Sequence, residues 1–105
     1  MQYAGTPTYM APELFQKRQY DFNVDIFAFG CLLWEIINRE VPYDGLDPAD
    51  ISSNVIKGAK LKDHKLAQID NRLAECVEQC RLVDSSKRPS FKDIVSVLNS
   101  ILNKL

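Results

Sequence analysis

A chain of 105 residues is one domain at most, and its 46% hydrophobic and 26% charged residues mark it as globular, not disordered. Its formal net charge of -1 supplies no field that would draw nucleic acid or an acidic membrane surface. No apolar run approaches the roughly 18 residues of a membrane-spanning helix, and Met1-Gln2-Tyr3-Ala4 lacks the basic region and apolar core of a secretory signal.

Residues 1–23 carry turn signals (Gly5-Thr6-Pro7, Ala11-Pro12, Asp21, Asn23) and read as loop, with a short helical turn after Pro12. The texture changes at Val24. From there almost every residue is apolar (Val24, Ile26, Phe27, Ala28, Phe29, Cys31, Leu32, Leu33, Trp34, Ile36, Ile37), too long a run for an ordinary strand. It predicts a central helix over residues 24–39, hydrophobic all round, therefore buried and wrapped by other elements. Three helices follow to do the wrapping. Over residues 47–59, Asp47 is a carboxylate N-cap and Pro48 a first-turn proline. Asp50 lies at the positive end of the dipole, Ile51, Val55 and Ile56 form the stripe, and Gly58 ends the helix. Over residues 66–82, Leu66, Ile69, Leu73, Cys76, Val77 and Cys80 share a face. Over residues 90–104, Ser90 with Asp93 resembles a capping box, and Phe91, Ile94, Val95, Leu98, Ile101 and Leu102, with Leu105 just beyond, make the stripe. No segment alternates at period two, so the fold class is all-α.

Three cysteines, Cys31, Cys76 and Cys80, are an odd number without an export signal, which fits free thiols in a reducing, cytoplasmic setting. Cys76 and Cys80 share a helical face, but a structural zinc site wants about four ligands and the one histidine is His64. They read as buried neutral thiols, and His64 as an exposed side chain. Lys57, Lys60, Lys62 and Lys65 follow the acidic Glu40, Asp44, Asp47 and Asp50. A solvated helix satisfying its own dipole accounts for this; a docking site is the alternative.

Gly5-Thr6-Pro7-Thr8-Tyr9-Met10-Ala11-Pro12-Glu13 resembles the end of a protein-kinase activation segment, the stretch that receives substrate and closes with A-P-E. Asp25-Ile26-Phe27-Ala28-Phe29-Gly30 resembles the D-x-x-x-x-G that opens the family's central helix. Trp34-Glu35-Ile36 and Val41-Pro42-Tyr43 resemble that helix's end and the loop beyond it. Arg88-Pro89-Ser90-Phe91 resembles the arginine-proline step before the last helix. These matches stand in family order from Ala4 to Leu102, the second half of a kinase large lobe. The wording around Cys31-Leu32-Leu33-Trp34-Glu35 leans toward the tyrosine-kinase-like group of serine/threonine kinases.

The resemblance implies roles. Gly5, Thr6, Pro7, Thr8 and Tyr9 would form the pocket for the residue after the phospho-acceptor, with the Thr6 hydroxyl favouring serine or threonine as acceptor. Taken alone, Gly5-Thr6-Pro7 could be merely a turn. Glu13 and Arg88 look like surface charges on composition; the resemblance implies that they pair and fasten the activation segment to the helical base. Asp25 could be only a first-turn carboxylate. In the family it is a buried acid that accepts hydrogen bonds from the catalytic loop. Glu35 is an acid that some kinases use to bind a substrate arginine, though kinases with other preferences keep it too. Gly30 and Trp34 belong to the central-helix motif.

The chain shows no Gly-rich phosphate loop, V-A-I-K lysine, H-R-D catalytic loop or D-F-G metal aspartate. No catalytic or metal-binding residue is therefore expected in it. ATP and Mg2+ are expected for a full-length parent and not for these residues alone. The reading is a partial kinase domain that pairs with a preceding kinase portion and a protein substrate. The alternatives are a non-catalytic interaction module and a pseudokinase fragment.

Overall fold

In the computed structural model, which describes residues 7–61 and 66–104, every regular element among the described residues is helical. A 3-10 turn over Pro7–Tyr9 leads into one helical turn, α1 (Pro12–Phe15), whose N1 proline lacks an N–H that a helix start leaves unpaired anyway. Helix α2 (Asn23–Asn38) ends where Arg39 turns left-handed at φ 57° and donates its N–H to the Glu35 carbonyl at 2.7 Å. The Asp47 carboxylate caps α3 (Pro48–Ile56) by accepting the Asp50 N–H at 2.9 Å. Past its end, Gly58 at φ 75° donates to the Val55 carbonyl and turns the chain away.

The next stretch departs from expectation. Residues 66–82 do not form one helix: α4 (Leu66–Ile69) stops, and α5 (Asn71–Cys80) starts afresh. Asp70 sits between them in an extended conformation, and its carboxylate accepts the Arg72 N–H at 2.8 Å. Side-chain capping competes with helix continuation here and wins, reinforced by the Arg72 guanidinium on the same carboxylate. Helix α6 (Phe91–Leu102) starts at Ser90, whose hydroxyl accepts the Asp93 N–H at 3.1 Å.

Helix α2 is the shared wall of the core. Phe27 and Cys31 pack with Met10, Ala11, Phe15, Ile51 and Val55. Trp34 meets Leu66, Leu73, Val77 and Ile101, and Ile26 meets Cys76, Cys80 and Ile94. Helices α2 and α5 approach closely at Gly30, where a Cβ would lie 2.7 Å from Cys80 Cβ. Burial of α2 is nevertheless incomplete. Leu32 is 43% exposed and Ile36 63%, and Asp25, about two and three turns before them on the helix, is exposed as well. The all-round hydrophobic helix keeps an open stripe because no described element crosses that side, and Asp25 lies exposed among the described residues. No helix among the described residues is long and apolar enough to cross a membrane.

Candidate functional site

The segment from Pro7 to Phe15 lies on α2 and α3, held by apolar side chains at its floor and by two polar anchors. Met10, Ala11 and Phe15 are buried in the first core cluster, Thr8 is 8% exposed, and Pro7 and Tyr9 are half-buried. Gly5 and Thr6 lie outside the described residues, as do Lys62, His64, Lys65 and Leu105.

The first anchor is Glu13 with Arg88. The two nitrogens Nη1 and Nη2 of Arg88 each donate to a different Glu13 oxygen at 2.8 Å, a bidentate fork between residues 75 positions apart. Arg88 also donates to the carbonyls of Leu82 (2.8 Å), Asn23 (3.0 Å) and Val83 (3.4 Å). Both side chains are buried, so one guanidinium joins α1, the start of α2 and the turn before α6. Helix α1 presents Glu13 inward because its first turn begins at Pro12. Arg88 is presented by the tight Ser85–Lys87 turn, itself capped by the Asp84 carboxylate on the Ser86 N–H.

The second anchor is Tyr9, whose hydroxyl donates to Oε1 of Glu35 on α2. That hydrogen bond, with burial second, pushes the Tyr9 hydroxyl up to about 12. Glu35, expected from the resemblance to face a substrate, thus carries the loop's tyrosine in this structure. Trp34 is 5% exposed in the core beside it, and Gly30 is buried against α5. Asp25 touches neither anchor among the described contacts.

One part of the arrangement went unread in the sequence. The Arg81 guanidinium sits 5.1 Å from the Phe27 ring centroid and 5.7 Å from that of Tyr43, and Arg88 lies 5.2 Å from the same Phe27 ring. Arg81 donates from Nη2 to the Tyr43 hydroxyl at 2.7 Å and from Nε to Cys31 Sγ at 3.3 Å. Burial pushes the Cys31 thiol up, with Arg81 pulling the other way. A signal existed: Arg81 falls four residues after Val77, on the apolar face of α5. Cys31, Cys76 and Cys80 are free and buried; a hydrogen bond from Cys80 holds the Cys76 thiol below its ordinary value and raises its own. The described residues bring together no three His, Cys, Asp or Glu side chains able to hold a metal ion.

Residues 2–98 match the family model for protein tyrosine and serine/threonine kinases. The chain is 33% identical over 102 residues to a serine/threonine-protein kinase of Arabidopsis thaliana, covering 96% of this chain and 18% of that protein. It is 38% identical over 101 residues to a probable LIM domain-containing serine/threonine-protein kinase of Dictyostelium discoideum, covering 96% of this chain and 15% of the relative. A dual specificity protein kinase of Dictyostelium discoideum is 36% identical over 98 residues, with 93% and 13% covered. The chain thus spans less than a fifth of the length of these relatives.

Proposed function

This chain belongs to the protein tyrosine and serine/threonine kinase family, and from that premise we propose that it is the C-terminal part of a serine/threonine kinase domain. Residues 1–23 are the activation-segment end, 24–39 the central helix, and 47–59, 66–82 and 90–104 the surrounding helical base. In this reading Gly5, Thr6, Pro7, Thr8 and Tyr9 shape the pocket beside the phospho-acceptor, and Glu35 orients that pocket through Tyr9. The parent protein moves the γ-phosphoryl group of ATP to serine or threonine of a protein substrate in the cytoplasm, where the three free thiols are at home.

The observation that supports this best is the buried Glu13–Arg88 fork. A substrate loop must hold its shape while a peptide is pressed against it. A bidentate pair of two planar groups resists rotation as a single lysine contact does not. The chain's own residues do not fit ATP or Mg2+. They include no phosphate-cradling loop, and no described cluster of acids could take the metal. Phosphoryl transfer rests on positioning and electrostatic stabilisation, so the nucleotide side belongs to a portion of the parent outside these residues.

The test begins with the native transcript 5′ of the Met1 codon. The expected result is an in-frame extension carrying H-R-D-x-x-x-x-N and D-F-G, whose full-length product phosphorylates serine and threonine in a general protein substrate. An extension lacking those acids would make the parent a pseudokinase. A message beginning at Met1 would overturn the enzyme reading in favour of a non-catalytic interaction module. Phosphotyrosine as the main product would overturn the choice of acceptor, a point sharpened by the dual specificity relative.

A further inference from the structure

Three ion pairs join the described residues: Glu13 with Arg88, Asp70 with Arg72, and Glu78 with Lys60. Arg81 is in none of them, although it is partly buried. Its charge is offset by neutral groups: the Phe27 and Tyr43 rings, the Tyr43 hydroxyl, the Cys31 thiol and the carbonyl end of α5. Its Nη1 donates to no group among the described residues. No buried side-chain nitrogen or oxygen among the described residues lacks a partner, so Nη1 of this half-buried guanidinium is open to solvent and free to meet an anion.

Arg81 also lines a cavity of about 450 Å³ between α2, α5 and the turn after α3. Its floor is apolar, with Trp34, Leu66, Ala74, Val77 and Leu82. Lys60 and Glu78 bridge each other on the rim at 3.2 Å, which leaves Arg81, Lys87 and the acid Asp84 among the described lining residues. The volume falls within the roughly 300–1,000 Å³ common for small-ligand sites, which pair an apolar lining with few polar groups. An apolar floor beside one unpaired guanidinium suits a monoanion with a hydrophobic body.

We propose that this cavity binds a small carboxylate bearing an aryl or short alkyl body, its carboxylate paired with Arg81 and its body over Trp34, Val77 and Leu82. The site is separate from the segment of Pro7–Phe15 and does not depend on the kinase parent being active.

The test titrates 4-phenylbutyrate and its uncharged isostere 4-phenylbutan-1-ol into the full-length protein by calorimetry. The acid is expected to bind at least about tenfold more tightly than the alcohol, the worth of one charge-assisted hydrogen-bonded pair. Arg81→Gln should bring the acid down to the alcohol's affinity. Ala74→Leu fills the floor without touching the guanidinium and should weaken both ligands. Melting temperatures of both variants accompany the titration. Should Arg81→Gln unfold, the acid-to-alcohol ratio in the unaltered protein and the Ala74→Leu result decide the matter. No binding of the acid, equal binding of acid and alcohol, or acid binding untouched by Ala74→Leu would each overturn the proposal.

Discussion

At the scale of single residues, the Glu13–Arg88 fork carries the clearest energetic consequence. Truncation by Glu13→Ala leaves Arg88 with carbonyl acceptors but no counter-charge, in a place where Arg88 is 6% exposed. The expected loss is about 3–5 kcal/mol, read as a lower urea midpoint at unchanged m-value in the full-length protein. Arg88→Lys should recover little of the effect of losing Arg88, since an ammonium cannot reproduce the fork. Tyr9 gives a pH signature. Its hydroxyl titrates near 10.0 when free and is pushed up to about 12 by the hydrogen bond to Glu35 and by burial. A folded value raised in this way stabilises fully below the unfolded value of 10.0 and is lost as pH rises toward about 12. Unfolding midpoints should therefore fall across that alkaline window, and Tyr9→Phe should remove that part of the slope. An identical slope in the variant would show that Tyr9 is not its source.

At the scale of elements, the α2–α5 contact leaves no room for a side chain at Gly30. A Cβ at Gly30 would meet Cys80 Cβ at 2.7 Å and Arg81 Cγ at 3.1 Å. Neither atom is the free end of a flexible side chain, so the helices themselves must part. Gly30→Ala is expected to cost about 1–3 kcal/mol despite alanine's better helix propensity, and a thermal melt would show it. An unchanged or raised melting temperature would mean that α5 yields more easily than its packing suggests. The same element shows what the sequence could and could not tell. Helix α2 was legible from its long apolar run, and α3 and α6 because stripe and cap coincide: Asp47 with Pro48, and Gly58 beyond Val55, in α3, and Ser90 with Asp93 in α6. The break at Asp70 was not, because Leu66, Ile69, Leu73 and Val77 keep helical spacing straight through it. Periodicity reports which face is apolar and is blind to one extended residue. The fork of Glu13 with Arg88 was expected only through the family resemblance, since no local rule joins residues 75 apart. Arg81 was missed because its partners are two rings, a hydroxyl and a thiol, and no charge pattern announces them.

At the scale of the whole molecule, the apolar surface decides behaviour in solution. Phe22 is 70% exposed, Ile36 63%, Leu102 64% and Val95 55%. Monomeric proteins seldom leave large apolar patches uncovered, so the isolated chain should show helical far-UV dichroism, bind ANS and melt without a sharp transition. A cooperative melt without ANS binding would instead mark a self-sufficient interaction module. One feature of the interior also bears on how such a sequence can change over generations. Phe27 is packed by the Pro7–Phe15 segment and stacked by both Arg81 and Arg88. Replacing that ring with an aliphatic residue would strip two cations of their aromatic face at once, so the fitness of a change at position 27 depends on what occupies position 81. Lineages should therefore alter these positions in a restricted order, and the single replacements should be non-additive with the double one.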